Sequence, residues 1–284
     1  MNAHIQEIDR VLQGKPVARD DYVTQSWQRC VSQYGLDPAR PNPAYIVPEH
    51  QLREHQQRSE RLISIARTGL EDLFRQVAGQ NYVLLLADPK GVTVDYFGDP
   101  AFEESLRKAG LFMGADWSEQ LAGTCGVGAC IATGEAVTVH QNDHFDPTHT
   151  PLSCTAAPIF DLTGSLAAVL DISLLRSPMP KVSQSLALEL VKASARRIEL
   201  ANLMAEMSDE WVLRFSHMPE FLDVDPEAAI AVDGSGCILA MTYGASRILT
   251  DVRPGVAIIG TNMSEFFQQN VDALPLLMRG RAAQ

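Results

Sequence analysis

Hydrophobic positions along the chain follow a helical period first, then a strand period, then a helical period again, and end in a short mixed stretch. Over residues 50–78, Leu52, Leu62, Ile63, Ala66, Leu70, Leu73, Phe74 and Val77 approximate a helical stripe on a charged background, which predicts one amphipathic helix. A shorter helix precedes it and holds Ser26-Trp27-Gln28-Arg29-Cys30. Gly35 and Pro38 predict its end, and Pro38, Pro41, Pro43 and Pro48 mark an extended connector. From Tyr82 onward the runs shorten. Tyr82–Ala87 and Val92–Phe97 flank the turn signal Asp88-Pro89-Lys90-Gly91 and read as a hairpin. Short helices follow over Phe102–Ala109 and Gly126–Thr133, then a strand over Ala136–His140 and a loop over Gln141–Leu152. Strands over Ser153–Phe160 and Leu166–Ser173 are joined at Asp161-Leu162-Thr163-Gly164. Hairpin-connected strands with segregated helices predict an α+β fold with a mostly antiparallel sheet flanked by helices.

The pattern then lengthens. Leu186, Leu190, Ala193, Arg197, Leu200, Met204, Met207 and Trp211 step by fours and threes, which predicts a long helix over Lys181–Phe215. The same seam fits a parallel dimer or one helix packed on its own sheet. Beyond it, Ala228–Val232 and Cys237–Met241 read as a hairpin about Asp233-Gly234-Ser235-Gly236. Helices follow over Ala245–Thr250 and Met263–Gln269. The chain stops at Arg281–Gln284 with no closing strand, so the protein is expected to continue. The organisation predicted is a helical region over 1–78, an α+β domain over 79–180, a long helix over 181–215 and a small α+β domain over 216–284.

Composition narrows the class. With 284 residues, 46% of them hydrophobic and 20% charged, the chain suffices for one large or two modest domains with a buried core. Its net charge of −12 gives no basic footprint for nucleic acid. No apolar run approaches the roughly 20 residues of a membrane span, and Met1–Asp9 is too polar for a signal peptide. Five cysteines with no Cys-x-x-Cys pair read as cytosolic thiols rather than a disulfide framework or zinc ribbon. The expectation is a cytoplasmic protein without cofactor or metal.

Candidate chemistry gathers between Tyr96 and Asp171. Gly123-Thr124-Cys125-Gly126-Val127-Gly128 opens a predicted helix, whose free N–H groups suit a polar oxygen. The spacing is not a dinucleotide fingerprint, and a tight turn into a packed helix explains it equally well. In the sharper reading Thr124, Cys125 and Val127 line a small cavity beneath the helix. Cys130 adds a second thiol, although a free cysteine usually acts as a small buried hydrophobe. His140 and His144 belong to a loop that also holds His149, Asp143 and Asp146; Pro147 and Pro151 preclude a helical metal motif there. A lid whose histidines hydrogen-bond a ligand is the expected role. Ser153 and Thr155 share one strand face. Asp171 stands among apolar neighbours, where a carboxylate either caps a loop N–H or anchors a ligand. Tyr96, Phe97 and Trp117 supply aromatic walls or simple core.

Several of these stretches also form a family pattern. Ser26-Trp27-Gln28-Arg29-Cys30 with Tyr34–Pro38, then Asp116-Trp117-Ser118-Glu119, Gly123–Gly128, His144-Phe145 and Leu152–Phe160, resemble the acetoin/glycerol-catabolism type of sigma-54-dependent bacterial transcription activator. That resemblance implies a GAF sensor domain followed by a PAS-like domain matching Ala228–Phe267. It also implies an AAA+ ATPase and a helix-turn-helix DNA-binding domain. Neither is expected here, since no Gly-x-x-x-x-Gly-Lys-Ser/Thr loop occurs. The family usually has Asn where Cys125 stands and often Thr where Ala129 stands.

The resemblance makes this the sensory half of such an activator, not an enzyme. Its partners would be a small-molecule effector, a second copy through the long helix, and the missing AAA+ and DNA-binding domains. The implied effector is acetoin or 2,3-butanediol. Ethanolamine or glycerol is the runner-up, favoured if Asp171 or Asp116 points into the pocket. Two rivals remain: a GAF-fold thiol-dependent reductase using Cys125 or Cys130, and a pure dimerisation scaffold.

Overall fold

The computed structural model describes residues 3–77, 79–177 and 179–277. In chain order the elements are α1 (Ala3–Leu12), α2 (Asp21–Ser32), β1 (Tyr45–Ile46), α3 (Glu49–Val77), β2 (Tyr82–Ala87), β3 (Thr93–Phe97), α4 (Glu103–Lys108), β4 (Ala115–Asp116), α5 (Glu119–Ala122), α6 (Gly126–Thr133), β5 (Val137–His140), β6 (Ser153–Phe160), β7 (Leu166–Leu174), α7 (Ser185–Glu206), β8 (Trp211–Phe215), β9 (Ala228–Val232), β10 (Ile238–Met241), α8 (Tyr243–Val252) and α9 (Leu274–Leu277). The chain divides into two compact units. One comprises 1–159 and 166–195, the other 160–165 and 196–284. Ala78 and the tail segment Arg281–Gln284, both part of the sequence expectations, lie outside the described residues.

In the first unit five strands form one sheet in the order β3-β2-β7-β6-β5. The α+β expectation holds, and so does the hairpin pairing of β2 with β3. Register decides which side chains share a face, because cross-strand partners point the same way. Leu85 pairs with Tyr96 and Asp171, Val83 with Ser173, and Val139 with Cys154. These residues, except the polar Ser173 and Asp171, belong to one apolar cluster with Trp117, Cys125, Val127 and Cys130. The opposite face carries Leu84, Leu86, Asp95, Phe97, Thr138, His140, Ser153 and Thr155 by the same register. Helix α3 covers part of it, with the Phe74 ring 6.4 Å from Phe97. Ala66, Leu70, Leu73 and Val77 of its predicted stripe are buried.

The N-terminal helices pack as a pair. Ile8, Val11, Val23, Trp27 and Cys30 form their own cluster with Phe145. Helix α2 ends near the expected place, with Gly35 at φ +65 and the Leu36 N–H donating to the Cys30 carbonyl at 2.9 Å.

The second unit is a three-stranded sheet, β10-β9-β8, with α8 against it. Here two expectations need correction. The long helix over Lys181–Phe215 is shorter: 181–184 form a 3-10 turn, α7 ends at Glu206, and Trp211–Phe215 is strand β8 paired with β9. Trp211, Leu213 and Phe215 alternate onto one core while Val212 faces another. A period of two over five residues mimics the last turn of a heptad. Likewise Met263–Gln269 is no helix. Its described turn is 3-10 over Met263–Glu265, with Asn262 as its N-cap and the Met263 N–H donating to the Gly236 carbonyl at 2.7 Å.

Of the predicted helical seam, Leu186 and Met204 are exposed, whereas Ala187, Val191 and Ile198, one position beyond Leu186, Leu190 and Arg197, are buried. Within the second unit, buried Glu199 accepts the backbone N–H of Phe160 at 2.9 Å and of Tyr243 at 3.0 Å. The Phe160 and Tyr243 rings stack at 4.0 Å. Burial pushes the Glu199 carboxyl up to about 7 in spite of these two donors. Glu199→Ala orphans two backbone N–H groups and is expected to cost about 2–4 kcal/mol, read as a lower urea midpoint.

Candidate functional site

The sequence Gly123–Gly128 builds the centre of the site. Gly123 sits at φ +69 and closes α5, and Cys125 then takes extended backbone angles as N-cap of α6. Its Sγ accepts the Gly128 N–H at 3.3 Å, and its S–H donates to the Trp117 carbonyl at 3.0 Å. An asparagine would perform the same cap through oxygen. Gly134 at φ +66 caps the other end.

Helix α6 lies so close to the sheet that a Cβ on Gly126 would meet Cys154 Cβ at 2.8 Å and Asp171 Oδ1 at 2.9 Å. Asp171 is 1% exposed. Ser173 Oγ donates to its Oδ2 at 2.5 Å, while Oδ1 has no hydrogen-bond partner among the described residues. Beside it, His144 is fully buried. Its Nδ1–H donates to the Gln141 carbonyl at 2.9 Å, so Nε2 is the acceptor and faces Cys154 Sγ at 3.4 Å. Burial lowers His144 to about 3, keeping the ring neutral. His149 stacks obliquely on Trp117 with ring centroids 5.1 Å apart, and its buried Nδ1 also lacks a partner.

This interior holds buried polar groups and buried thiols. Burial raises the thiols of Cys125, Cys130 and Cys154, and pushes Cys30 up to about 11. A reactive cysteine needs the opposite shift. Among the described residues no group of three or more His, Cys, Asp or Glu is arranged to hold a metal ion.

The predicted site residues divide between the two faces of the sheet. Tyr96, Trp117, Cys125, Val127, Cys130, His144 and Asp171 share the α6 side. Phe97, His140, Ser153 and Thr155 belong to the other side, where His140 Nδ1 meets Ser153 Oγ at 2.9 Å and Thr138 Oγ1 meets Thr155 Oγ1 at 3.1 Å. A single small ligand cannot touch both sets, because the sheet stands between them. Thr124 turns toward α2, 2.7 Å from Ser26 Oγ. His149 and Cys154 join the α6-side set, although sequence reasoning does not select them. Strand alternation sets Cys154 on the face opposite Ser153, which is a usable signal; the His144–His149 spacing gives none in a proline-rich loop.

Two carboxylates fasten the N-terminal helices over this site. Glu119, 5% exposed, accepts a bidentate pair from Arg29 at 2.8 Å and a third bond from Ser26 at 2.6 Å. Asp143 accepts from Arg19 and Lys181, each at 2.7 Å, and from the His140 N–H at 3.1 Å. Burial would raise its carboxyl, yet Lys181 and Arg19 hold it below its ordinary value. The Trp27 indole N–H donates to the Asp143 carbonyl at 2.9 Å. A cleft of about 620 Å³ opens nearby, with Leu106 and Leu152 common to its wall and to the apolar cluster around Trp117.

The GAF domain model matches residues 61–202, half of the chain. The chain belongs to the GAF domain family. It is 48% identical over 261 residues, 91% of its length, to the acetoin catabolism regulatory protein of Cupriavidus necator, and covers 39% of that protein. It is 26% identical over 151 residues, 53% of its length, to the acetoin dehydrogenase operon transcriptional activator AcoR of Bacillus subtilis, and covers 25% of it. The chain thus spans well under half the length of these curated relatives. Among solved structures, a chain of the E. coli DhaR(N)–DhaL complex superposes with a TM-score of 0.58 at 18% identity, covering 93% of this chain and 87% of that one. The fold is shared with it. The relatives are regulators, and a regulatory sensor role fits this GAF chain.

The Asp171 carboxyl stands at about 7 because burial raises it from 3.8. The folded state therefore keeps a proton that the unfolded chain releases. This contribution is complete below about pH 3.8 and disappears as pH rises through about 7. Asp171→Asn should flatten the pH dependence of stability over that window, measured as urea midpoints of the variant against the parent. At Cys125, serine should preserve the cap, whereas alanine should cost about 1 kcal/mol in the same assay.

Proposed function

We propose that this chain is the effector-sensing region of a sigma-54-dependent activator of alcohol or hydroxyketone catabolism. A small hydroxylated molecule of the acetoin or 2,3-butanediol type occupies the α6 side of the sheet. The observation that carries this reading is the pair of buried, unpartnered acceptor-capable atoms there, Asp171 Oδ1 and His149 Nδ1. A leftover buried polar atom is costly, and a ligand hydroxyl removes the cost. Trp117, Tyr96 and Val127 provide the apolar walls a short carbon chain needs. The names of the relatives, both concerned with acetoin, support the ligand class.

The same free carboxyl oxygen favours a second reading, an amino alcohol such as ethanolamine, whose ammonium would pair with Asp171 in its ionised form. Glycerol fits the hydroxyl chemistry equally.

The rest of the activator follows from the same reading. The AAA+ and DNA-binding domains belong to the remainder of a longer cytoplasmic protein. The second unit, with its strands β8–β10 and helix α8, acts as the PAS-like domain. A second copy packs along the outward row of α7, where Leu186 and Met204 stand exposed. No described helix is long and apolar enough to cross a membrane. Effector binding shifts the chain between two arrangements by its difference in affinity for them.

Thermal unfolding against a panel of acetoin, 2,3-butanediol, glycerol and ethanolamine tests this. A ligand that binds only the folded chain stabilises it by about 2.7 kcal/mol at a hundred times its dissociation constant. The expected result is a shift with acetoin or the diol that Asp171→Asn and Trp117→Ala both abolish. A response to ethanolamine alone, lost in Asp171→Asn, would establish the second reading. No response from any member would sink both.

A further inference from the structure

The opposite face of the sheet holds polar groups that effector sensing on the α6 side does not use. Asp95, on edge strand β3, pairs with Leu86 and so stands on that face. It is 4% exposed, yet its Oδ2 has no hydrogen-bond partner among the described residues. Asp95 Oδ1 accepts the Tyr96 N–H at 3.0 Å. Arg67 stops 3.8 Å from that oxygen, beyond hydrogen-bond reach. Its guanidinium thus forms long ion pairs with both Asp95 Oδ1 and Glu71, the latter at 4.0 Å, and lies 5.9 Å from the Phe97 ring centroid.

Between β3 and α3 opens a cleft of about 640 Å³ with Asp95 in its wall. Helix α3 contributes Glu60, Ser64, Arg67 and Glu71, spaced so that all stand along one side of the helix. Glu60 and Glu71 are exposed. Eleven residues of helix separate them, about 16 Å. Ile63, Val94 and Met113 supply apolar wall between the polar groups. Three carboxylates thus share one guanidinium, which reaches only Oδ1 of Asp95 and leaves Oδ2 without a donor. A buried carboxylate oxygen without a donor is expensive, and a positively charged N–H donor is what satisfies it best.

We propose that the α3–β3 cleft binds a linear aliphatic ammonium compound, with one ammonium group on Asp95 and the carbon chain along Ile63, Val94 and Met113. Glu60 and Glu71 receive a further ammonium group where the ligand has one. The site is separate from the α6-side pocket, since the sheet lies between them, and it stands whether or not that pocket binds an alcohol.

Isothermal titration of the 284-residue chain with 1,4-diaminobutane dihydrochloride, at ionic strength held constant with sodium chloride, tests the proposal. Saturable binding to one site is expected, weakened at least about tenfold by Asp95→Asn. The doubly exposed change Glu60→Gln with Glu71→Gln leaves the core untouched. It should weaken the diamine more than it weakens butylammonium. Asp171→Asn should bind the diamine like the parent, which separates this site from the effector pocket. Absence of saturable heat at millimolar diamine would overturn the proposal, as would equal binding by Asp95→Asn. A cleft closed by a second copy of the chain would give that first result and overturn it likewise.

Discussion

The close approach of α6 to the sheet at Gly126 governs the interior of the first unit. A side chain there would collide with Cys154 and Asp171, so only glycine lets the helix settle at this depth. Once it does, the first-turn N–H groups meet sulfur rather than water: Gly128 donates to Cys125, and Gly126 faces Cys154. The thiols act as acceptors and fillers, which suits a soft, small side chain in a dry place. Asp171 is then sealed in with one oxygen satisfied and one left over. The burial of these groups follows from a packing constraint.

The N-terminal helices give that interior its boundary. Without Glu119 and Asp143 they would be an appendage held by a small apolar cluster. With them, α2 is tied to α5 through Arg29 and Ser26, and the loop that carries His144 is tied to Arg19 and to Lys181 at the head of α7. Single exposed ion pairs contribute little, and the exposed pairs along α3 such as Glu54–Arg58 are of that kind. Glu119 and Asp143 are buried and fully engaged, so removing a partner strands a charge. Lys181 lies just before α7, so the loop beside the candidate pocket and the start of that helix share one carboxylate.

Most elements are legible in the sequence because their periods are unambiguous. The amphipathic stripe of α3, the β2–β3 and β6–β7 hairpins and the glycine-capped α6 all appear where hydrophobic spacing and turn residues put them. Ambiguity arises where a short strand and a helical turn share a pattern. Trp211 continues a heptad on paper, but β8 is chosen by pairing with β9, a long-range contact that no local window contains.

For the candidate site, residue order alone supplies the inventory: a glycine-rich helix start, thiols, loop histidines, aromatic residues and one carboxylate within an apolar strand. The two-residue period of a strand is enough to separate Ser153 and Thr155 from Cys154. Which of these groups meet is a matter of tertiary contacts. Register across β2, β3 and β7 places Tyr96 and Asp171 on the α6 side and Phe97 on the other. Loop geometry brings His149 to Trp117, and depth of burial raises the Cys125 thiol and leaves Asp171 Oδ1 without a donor. Residue type and spacing are local properties written in the chain. Which face a residue shares, and what its last hydrogen bond finds, depend on partners far away in sequence.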